Sequence, residues 1–244
     1  VRRGNGPGRA PLFVALLLGA SAVTYASFAL ETWLSPKLDA FNGYASELSA
    51  VDQPFHSVYN MGDLVTGVMV IISAVTALLT LRRRPIATAG WMFLGLFGVS
   101  TIGDASFPLD CAPSLETWCA LRERAGTLSF AHNFHEVTST AVITMAVIAL
   151  FLLGLAARRY DWWPPLARWA WPLALVEVVA SASTLVAMVL GRWLGIIQRV
   201  QISILCLMLL LVAWTLLADR LRPSAPDAER PREKAGAASW PRCW

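Results

Sequence analysis

The sequence predicts an all-α protein, a polytopic bundle of six transmembrane helices with both termini in the cytoplasm. Three observations carry this. Only 15% of the 244 residues are charged, 56% are hydrophobic and the mean hydropathy is +0.55, whereas a soluble domain carries about 25% charge. Apolar stretches, each long enough to cross a hydrocarbon core of ~30 Å, recur at 11–31, 58–81, 87–105, 131–157, 168–190 and 196–218. The basic residues then sort to one side. With the N-terminus inside, 15 of the 20 Lys and Arg face the cytoplasm, and only Lys37, Arg122, Arg124, Arg192 and Arg199 do not. Period-two alternation is weak, which argues against a barrel.

The first stretch has a basic start and small residues at "ASFA", as a signal peptide would. Its apolar run is long for one, and an intact helix gives an even number of spans. It therefore reads as a membrane helix. Residues 1–10 form a cytoplasmic segment, 11–218 the membrane domain, and 219–244, rich in Pro, Ala and charge, a disordered basic cytoplasmic tail. Val1 reads as a literal valine-coded bacterial start. The expected location is a bacterial cytoplasmic membrane, with the lipid bilayer as partner and protein partners unknown. Nucleic acid is excluded, because the basic residues are membrane flanks.

The first outer loop, about 32–57, is the longest, and "LDAFNGYASELSAV" is expected to form a short interfacial helix. Cys111 and Cys119 share the second outer loop, "DCAPSLETWC". Two cysteines in one short extracytoplasmic loop read as a disulfide, since that spacing is not a usual zinc knuckle. Cys206 lies in the sixth helix as an apolar filler and Cys243 in the tail. Trp162, Trp163, Trp169 and Trp171 crowd the inner interface and Trp193 the outer one, as aromatic belts do.

"YNMGDLVTG" opens the second helix and "HNFHEVTST" the fourth. Asn60 matches Asn133, Asp63 matches Glu136, and Thr66 matches Ser139. "QRVQIS" at the sixth helix is a fainter echo. The pattern suggests three tandem helix hairpins.

Ionisable groups in a membrane are costly and call for a reason. His56, Asp63, Ser100, Asp104, Asp110, His132, His135, Glu136 and Ser139 all fall near the outer face. In a helix, His132 and Glu136 are i,i+4, and so are His135 and Ser139. One reading is an acid–base or metal site. His132, His135, Asp104 and Asp110 are the candidate catalytic residues, with a histidine as base oriented by a carboxylate. His56, His132, His135 and Asp104 are the candidate ligands of a metal, for which zinc is the natural choice because it makes hydroxide available near neutral pH. The other reading is structural. Asp63 and Glu136 sit at helix N-termini, where the dipole favours carboxylates, and H-x-x-H is a weak motif.

Arg192, Arg199, Ser139 and Glu177 are the candidate substrate-binding residues. Arg192 and Arg199 flank the last outer turn, where they suit a lipid phosphate, the acidic cluster or the interface alone. Glu177 lies near mid-bilayer, where a carboxyl is protonated or paired. The chain contains no P-loop, Rossmann glycine motif, G-x-S-x-G elbow or H-E-x-x-H.

At "FPLDC" and "AGTLSFAHNFHEVTS", with "QPFHSVYNMGDLVTG" upstream, the chain resembles a bacterial and archaeal membrane family known as domain of unknown function 998. The resemblance covers roughly 12–218. It rests on the Phe107, Pro108 and Asp110 turn and on His132 or His135, and it implies a polytopic body with no settled activity. A more distant similarity is to the alkaline ceramidase and progestin-receptor superfamily, which implies a Ser, Asp and three-His zinc hydrolase. This chain departs from it in order, spacing and number of spans. The resulting expectation is a lipid-directed hydrolase or transferase at an outer-face His/Asp/Glu site. The alternatives are a non-enzymatic lipid- or small-molecule-binding accessory protein or sensor, and a proton-coupled transporter.

Overall fold

A computed structural model describes residues 9–221. Expectations for the segment before residue 9, for Cys243 and for the chain beyond Leu221 lie outside the described residues. Eight α-helices occur among them: α1 Arg9–Tyr25, α2 Glu31–Leu34, α3 His56–Thr80, α4 Pro85–Ser106, α5 Thr117–Arg124, α6 Phe130–Arg159, α7 Pro164–Leu190 and α8 Leu194–Leu221. A 3-10 turn at Ala26–Leu30 joins α1 to α2, so that Ala10–Leu34 makes one span; with α3, α4, α6, α7 and α8 there are six. α8 runs to Leu221, past the 218 expected from hydropathy.

Local chemistry sets the helix ends. Pro85 and Pro164 stand in the first turns of α4 and α7, where a missing N–H costs nothing. Gly191 closes α7 at φ 64°, a conformation that penalises a Cβ. Ser129 caps α6, its hydroxyl accepting from His132 N at 3.2 Å.

The six long helices stand in a ring in chain order. α1 packs on α3, α3 on α4, α4 on α6, α6 on α7, α7 on α8, and α8 returns to α1. Without a hydrophobic force between helices in lipid, small residues and close approach hold such contacts. Gly67 of α3 and Gly98 of α4 face each other so closely that a Cβ on either would strike the other's carbonyl oxygen. Thr24 and Thr66 share a 2.6 Å hydrogen bond between α1 and α3.

One half of the ring is filled. Leu18, Val70, Leu94, Phe97, Leu153 and Leu209 are buried from mid-span towards the end that carries Arg82–Arg84, Arg158, Arg159 and Arg168, here termed the arginine face. There Arg158 lies 3.9 Å over the Trp171 ring and Arg82 5.6 Å over Trp162. Trp163 is not displayed to lipid as a belt residue would be. It is buried and packs edge-on against Trp91.

The opposite end, the loop face, carries a folded cap. The stretch expected to lie as an interfacial helix is instead a 3-10 turn at Ala45–Ser49, with Ala45, Glu47, Leu48 and Ser49 buried. Hydrogen bonds explain why it sinks. Ala45 N donates to Gln198 Oε1 at 2.8 Å, and Val51 N to the Leu109 carbonyl at 2.8 Å. Cys111 and Cys119 form the disulfide expected of them, tying the loop after α4 to α5.

Candidate functional site

Beneath the cap the ring is hollow. A cavity of about 690 Å³ reaches from the 3-10 turn and Glu123 of α5 down to Leu205 of α8. Its polar end holds Asp63, Asp104, His132, His135, Glu136 and Ser139, and its lower wall is apolar, with Val142, Ile143, Leu185, Met188 and Leu205. Glu136, Thr140 and Thr144 of α6 and Ala182, Leu185 and Met188 of α7 line the cavity and are also exposed, so it opens sideways between these two helices. The contacts that tie α6 to α7 lie nearer the arginine face: Phe151 stacks on Trp171, and Gly154 meets Ala170.

The two histidines of "HNFHE" have different work. His132 Nδ1 accepts from Asp110 N at 3.1 Å, so Nε2 carries the hydrogen and donates to Glu123 Oε1 at 3.4 Å. Both ring nitrogens are engaged. His135 stands the other way round. Its Nδ1 faces the Phe107 carbonyl oxygen at 2.9 Å and must donate, which leaves Nε2 a free acceptor. That Nε2 is covered and has no partner among the described residues, while other atoms of the ring line the cavity. Asp104 Oδ1 lies 3.9 Å from His135 Nδ1. Its carboxylate accepts from Thr138 at 2.5 Å and from Ser139 at 3.1 Å.

Of the candidate residues, the cavity gathers Asp104, His132, His135 and Ser139 and leaves the others elsewhere. His56 opens α3 away from the lining, with a buried Nδ1 that has no partner among the described residues. Asp110 braces the start of α6, accepting from Ser129 N at 2.8 Å and Ser129 Oγ at 2.6 Å. Arg192 lies over Trp193 in the α7–α8 turn. Arg199 is buried and bound to Glu31, with Nη1 donating to the Gly43 carbonyl at 3.0 Å. Glu177 is buried below the cavity among Ala146, Leu150, Ile204 and Met208, and neither carboxyl oxygen has a hydrogen-bond partner among the described residues.

The zinc donor set does not assemble. Among the described residues no three His, Cys, Asp or Glu side chains converge to hold a metal. The ring nitrogens of His132 are both committed, Nδ1 of His135 is turned to a carbonyl, and His56 stands apart.

Several lining residues escape a search for charged or metal-ligating groups. Tyr25, Tyr44, Thr184, Gln198 and Gln201 all face the cavity. Gln201 bridges α8 to α7, donating to Ser181 Oγ at 3.0 Å and accepting from Thr184 at 2.5 Å. "QRVQ" carried the available signal, two amides one turn apart in an apolar run. In the cap, Glu47 is fully buried and accepts from Ser114 N at 2.8 Å and from Ser114 Oγ. Burial pushes its carboxyl up from 4.5 to about 7, against the lowering effect of Ser114.

The family model described as "Protein of unknown function (DUF998)" matches residues 18–215, from within α1 to near the end of α8. The chain belongs to the DUF998 family. The match spans every helix that lines the cavity of this DUF998 member, and the cap as well. No curated protein and no solved structure matches the chain.

Proposed function

We propose that this protein binds a single-chain or acyl-bearing amphiphile drawn from the bilayer, with its chain in the gap between α6 and α7 and its polar group beneath the cap. The carrying observation is the cavity itself, polar at Asp104 and His135, apolar below, and open where a membrane helix meets lipid. The loop face is then extracytoplasmic, in a bacterial cytoplasmic membrane. Two features support that orientation: a disulfide in the cap, which needs an oxidising compartment, and the arginine clusters at the other end. Residues 11–218 form the membrane domain between two cytoplasmic ends.

The test is native mass spectrometry of the full chain purified in mild detergent. Wild type retains a lipid-sized mass that Thr140→Trp and Ala182→Trp, which fill the gap, lose. Equal retention by all three would end this reading.

One observation favours a catalytic version. His135 has a fixed Nδ1–H and an unpartnered Nε2, the arrangement of a general base once a rotation of the ring opens the now covered Nε2 to the cavity. Nε2 would take a proton from water as its oxygen bonds to an ester or amide carbonyl of the bound lipid. The proton then passes to the leaving oxygen or nitrogen as that bond breaks. Release of product from a bacterial lipid extract by wild type, absent in His135→Gln, would establish the reaction. Matched product in both would dismiss it.

A further inference from the structure

The lining of the cavity also narrows the headgroup. A phosphate site is built from Arg, Lys or converging N–H groups. Among the described residues that line this cavity there is no Lys or Arg. Arg199 is spent on Glu31 and the Gly43 carbonyl. The polar end instead sets free donors beside free acceptors.

Tyr25 carries the argument. It is 8% exposed, its ring stands edge-on to Phe97 at 5.9 Å, and it lines the cavity. Its hydroxyl makes no hydrogen bond among the described residues, yet it is not closed off. A hydroxyl so placed calls for a partner, and the cavity is where one can stand. Gln198 adds a donor of fixed sense. Its Oε1 accepts from Ala45 N at 2.8 Å, so the amide is oriented and Nε2, which can only donate, has both hydrogens left for the cavity.

An acceptor stands next to Tyr25. α1 and α3 touch at Gly62, where a Cβ would lie 3.0 Å from the Thr24 carbonyl oxygen and 3.0 Å from Ser27 Oγ. The residues that follow Thr24 and Gly62 in the chain, Tyr25 and Asp63, both line the cavity. The Asp63 carboxylate accepts no hydrogen bond among the described residues. α3 and α8 each pack on α1, so Asp63, Tyr25 and Gln198 occupy three neighbouring helices. Phe28 and Tyr59 add aromatic surface at the same end, Tyr59 with its hydroxyl paired to Ser35 at 3.4 Å.

Headgroup chemistries differ in how they answer this set. A phosphate brings acceptors and negative charge, and leaves Asp63 without a donor. An ammonium brings donors alone, and leaves the Gln198 amide without an acceptor. A hydroxyl both donates and accepts. Adjacent hydroxyls can therefore serve Asp63, Tyr25 and Gln198 together, and those that donate to the carboxylate form charge-assisted bonds. The C–H groups of the same carbon frame suit the aromatic surface.

Resting on the amphiphile reading above, we infer that the ligand's polar group is an uncharged polyol, a glycerol or sugar with adjacent hydroxyls, bound by Tyr25, Asp63 and Gln198. Its alkyl chain leaves between α6 and α7, past Leu185 and Met188.

The test uses the full-length protein in nanodiscs of zwitterionic lipid, titrated with dodecyl glucoside, dodecylglycerol, dodecanol, dodecylamine and dodecyl phosphate. Native mass spectrometry reads the fraction of protein that carries one added molecule. The glucoside or the glycerol ether is expected to bind at least about ten-fold more tightly than dodecanol, and more tightly than the amine or the phosphate. Whichever of the two leads tells a sugar head from a glycerol head. In Tyr25→Phe and Asp63→Asn, both near-isosteric, the polyol-to-dodecanol ratio should fall to about three-fold or less. Equal binding of all probes, or a preference for the amine or the phosphate, overturns the polyol assignment and leaves the cavity reading standing. A polyol preference that both folded variants keep in full overturns the site named here. No saturable binding of any probe above that of Ala182→Trp overturns the cavity reading and this inference with it. The probe comparison needs no substitution, so a variant that fails to fold does not shelter the proposal.

Discussion

Arg199 grips Glu31 in a two-pronged ion pair. Its Nε lies 2.9 Å from both carboxylate oxygens and its Nη2 lies 2.5 Å from Oε2, with both side chains largely buried. The pair joins α8 to α2, the last transmembrane helix to the extension of the first. Removing one partner leaves the other charge buried and alone, which costs about 3–5 kcal/mol. Arg199→Ala and Glu31→Ala should each lower thermal stability sharply. The double variant Arg199→Met/Glu31→Leu should recover most of it, as read by melting in detergent. Recovery of ligand binding with it would show that Arg199 fixes structure and does not touch ligand.

The paired histidines should separate by variant. His132→Ala strips partners from Asp110 N–H and Glu123, so stability falls by about 1–3 kcal/mol. His135→Ala removes one hydrogen bond to Phe107 and costs about 1 kcal/mol. Its main effect should be on what the cavity binds. Chemical denaturation beside probe binding would show two different profiles, and a common profile would contradict the opposite orientations of the rings.

Glu47 should make the cap sensitive to pH. Its folded value of about 7 lies above the ordinary 4.5, so the folded state holds the proton more tightly than the unfolded chain. That contribution, on the order of 3 kcal/mol, is fully present below pH 4.5 and is lost as pH rises through 7. Glu47→Gln keeps an acceptor for Ser114 N and a donor for Ser114 Oγ but does not titrate. The stability difference between wild type and this variant should therefore change across pH 4.5–7 and level off above it. A constant difference across that range would show that Glu47 is not the group responsible.

Opening the Cys111–Cys119 bridge should cost about 2–3 kcal/mol by releasing a short loop in the unfolded chain. The same loop leads into α5, which carries Glu123 over the cavity. Cys111→Ala/Cys119→Ala should therefore weaken retention of the co-purifying lipid in native mass spectrometry as well as stability. Unchanged retention would show that the cap closes without the bridge.

The six spans were legible because each is a long apolar run with breaks at Pro, Gly or arginine, and their ends fell within a few residues of expectation. The clustering of Asp104, His135 and Ser139 was also legible, from the level at which each helix meets the surface. Arg199 was not, because its partner Glu31 lies 168 residues away in the chain and only ring closure brings them together. Glu47 reads in the sequence as an ordinary loop carboxylate. Its burial follows from its bonds to Ser114 and from the nearby Ala45 N–H anchored on the α8 amide Gln198, which no local pattern announces. H-x-x-H was a weak motif that left a metal, an acid–base and a structural reading open. Which ring nitrogen is free depends on the carbonyl of Phe107 and the amide of Asp110, backbone groups that carry no signature.

Closure of α8 against α1 has a consequence for biosynthesis. The two helices are neighbours in space, yet about 170 residues of chain lie between Tyr25 and Leu194. At roughly 5–20 residues per second, the leading helix spends on the order of 10–30 s in the bilayer before its last neighbour emerges from the ribosome. Its exposed flank must be shielded for that time by lipid or by an insertion factor. Thr24 and Ser21 are not left waiting, because Thr66 of the next span engages both. The nascent chain can thus dock its first two spans early and hold them as an open arc, with Glu31 unpaired until Arg199 arrives.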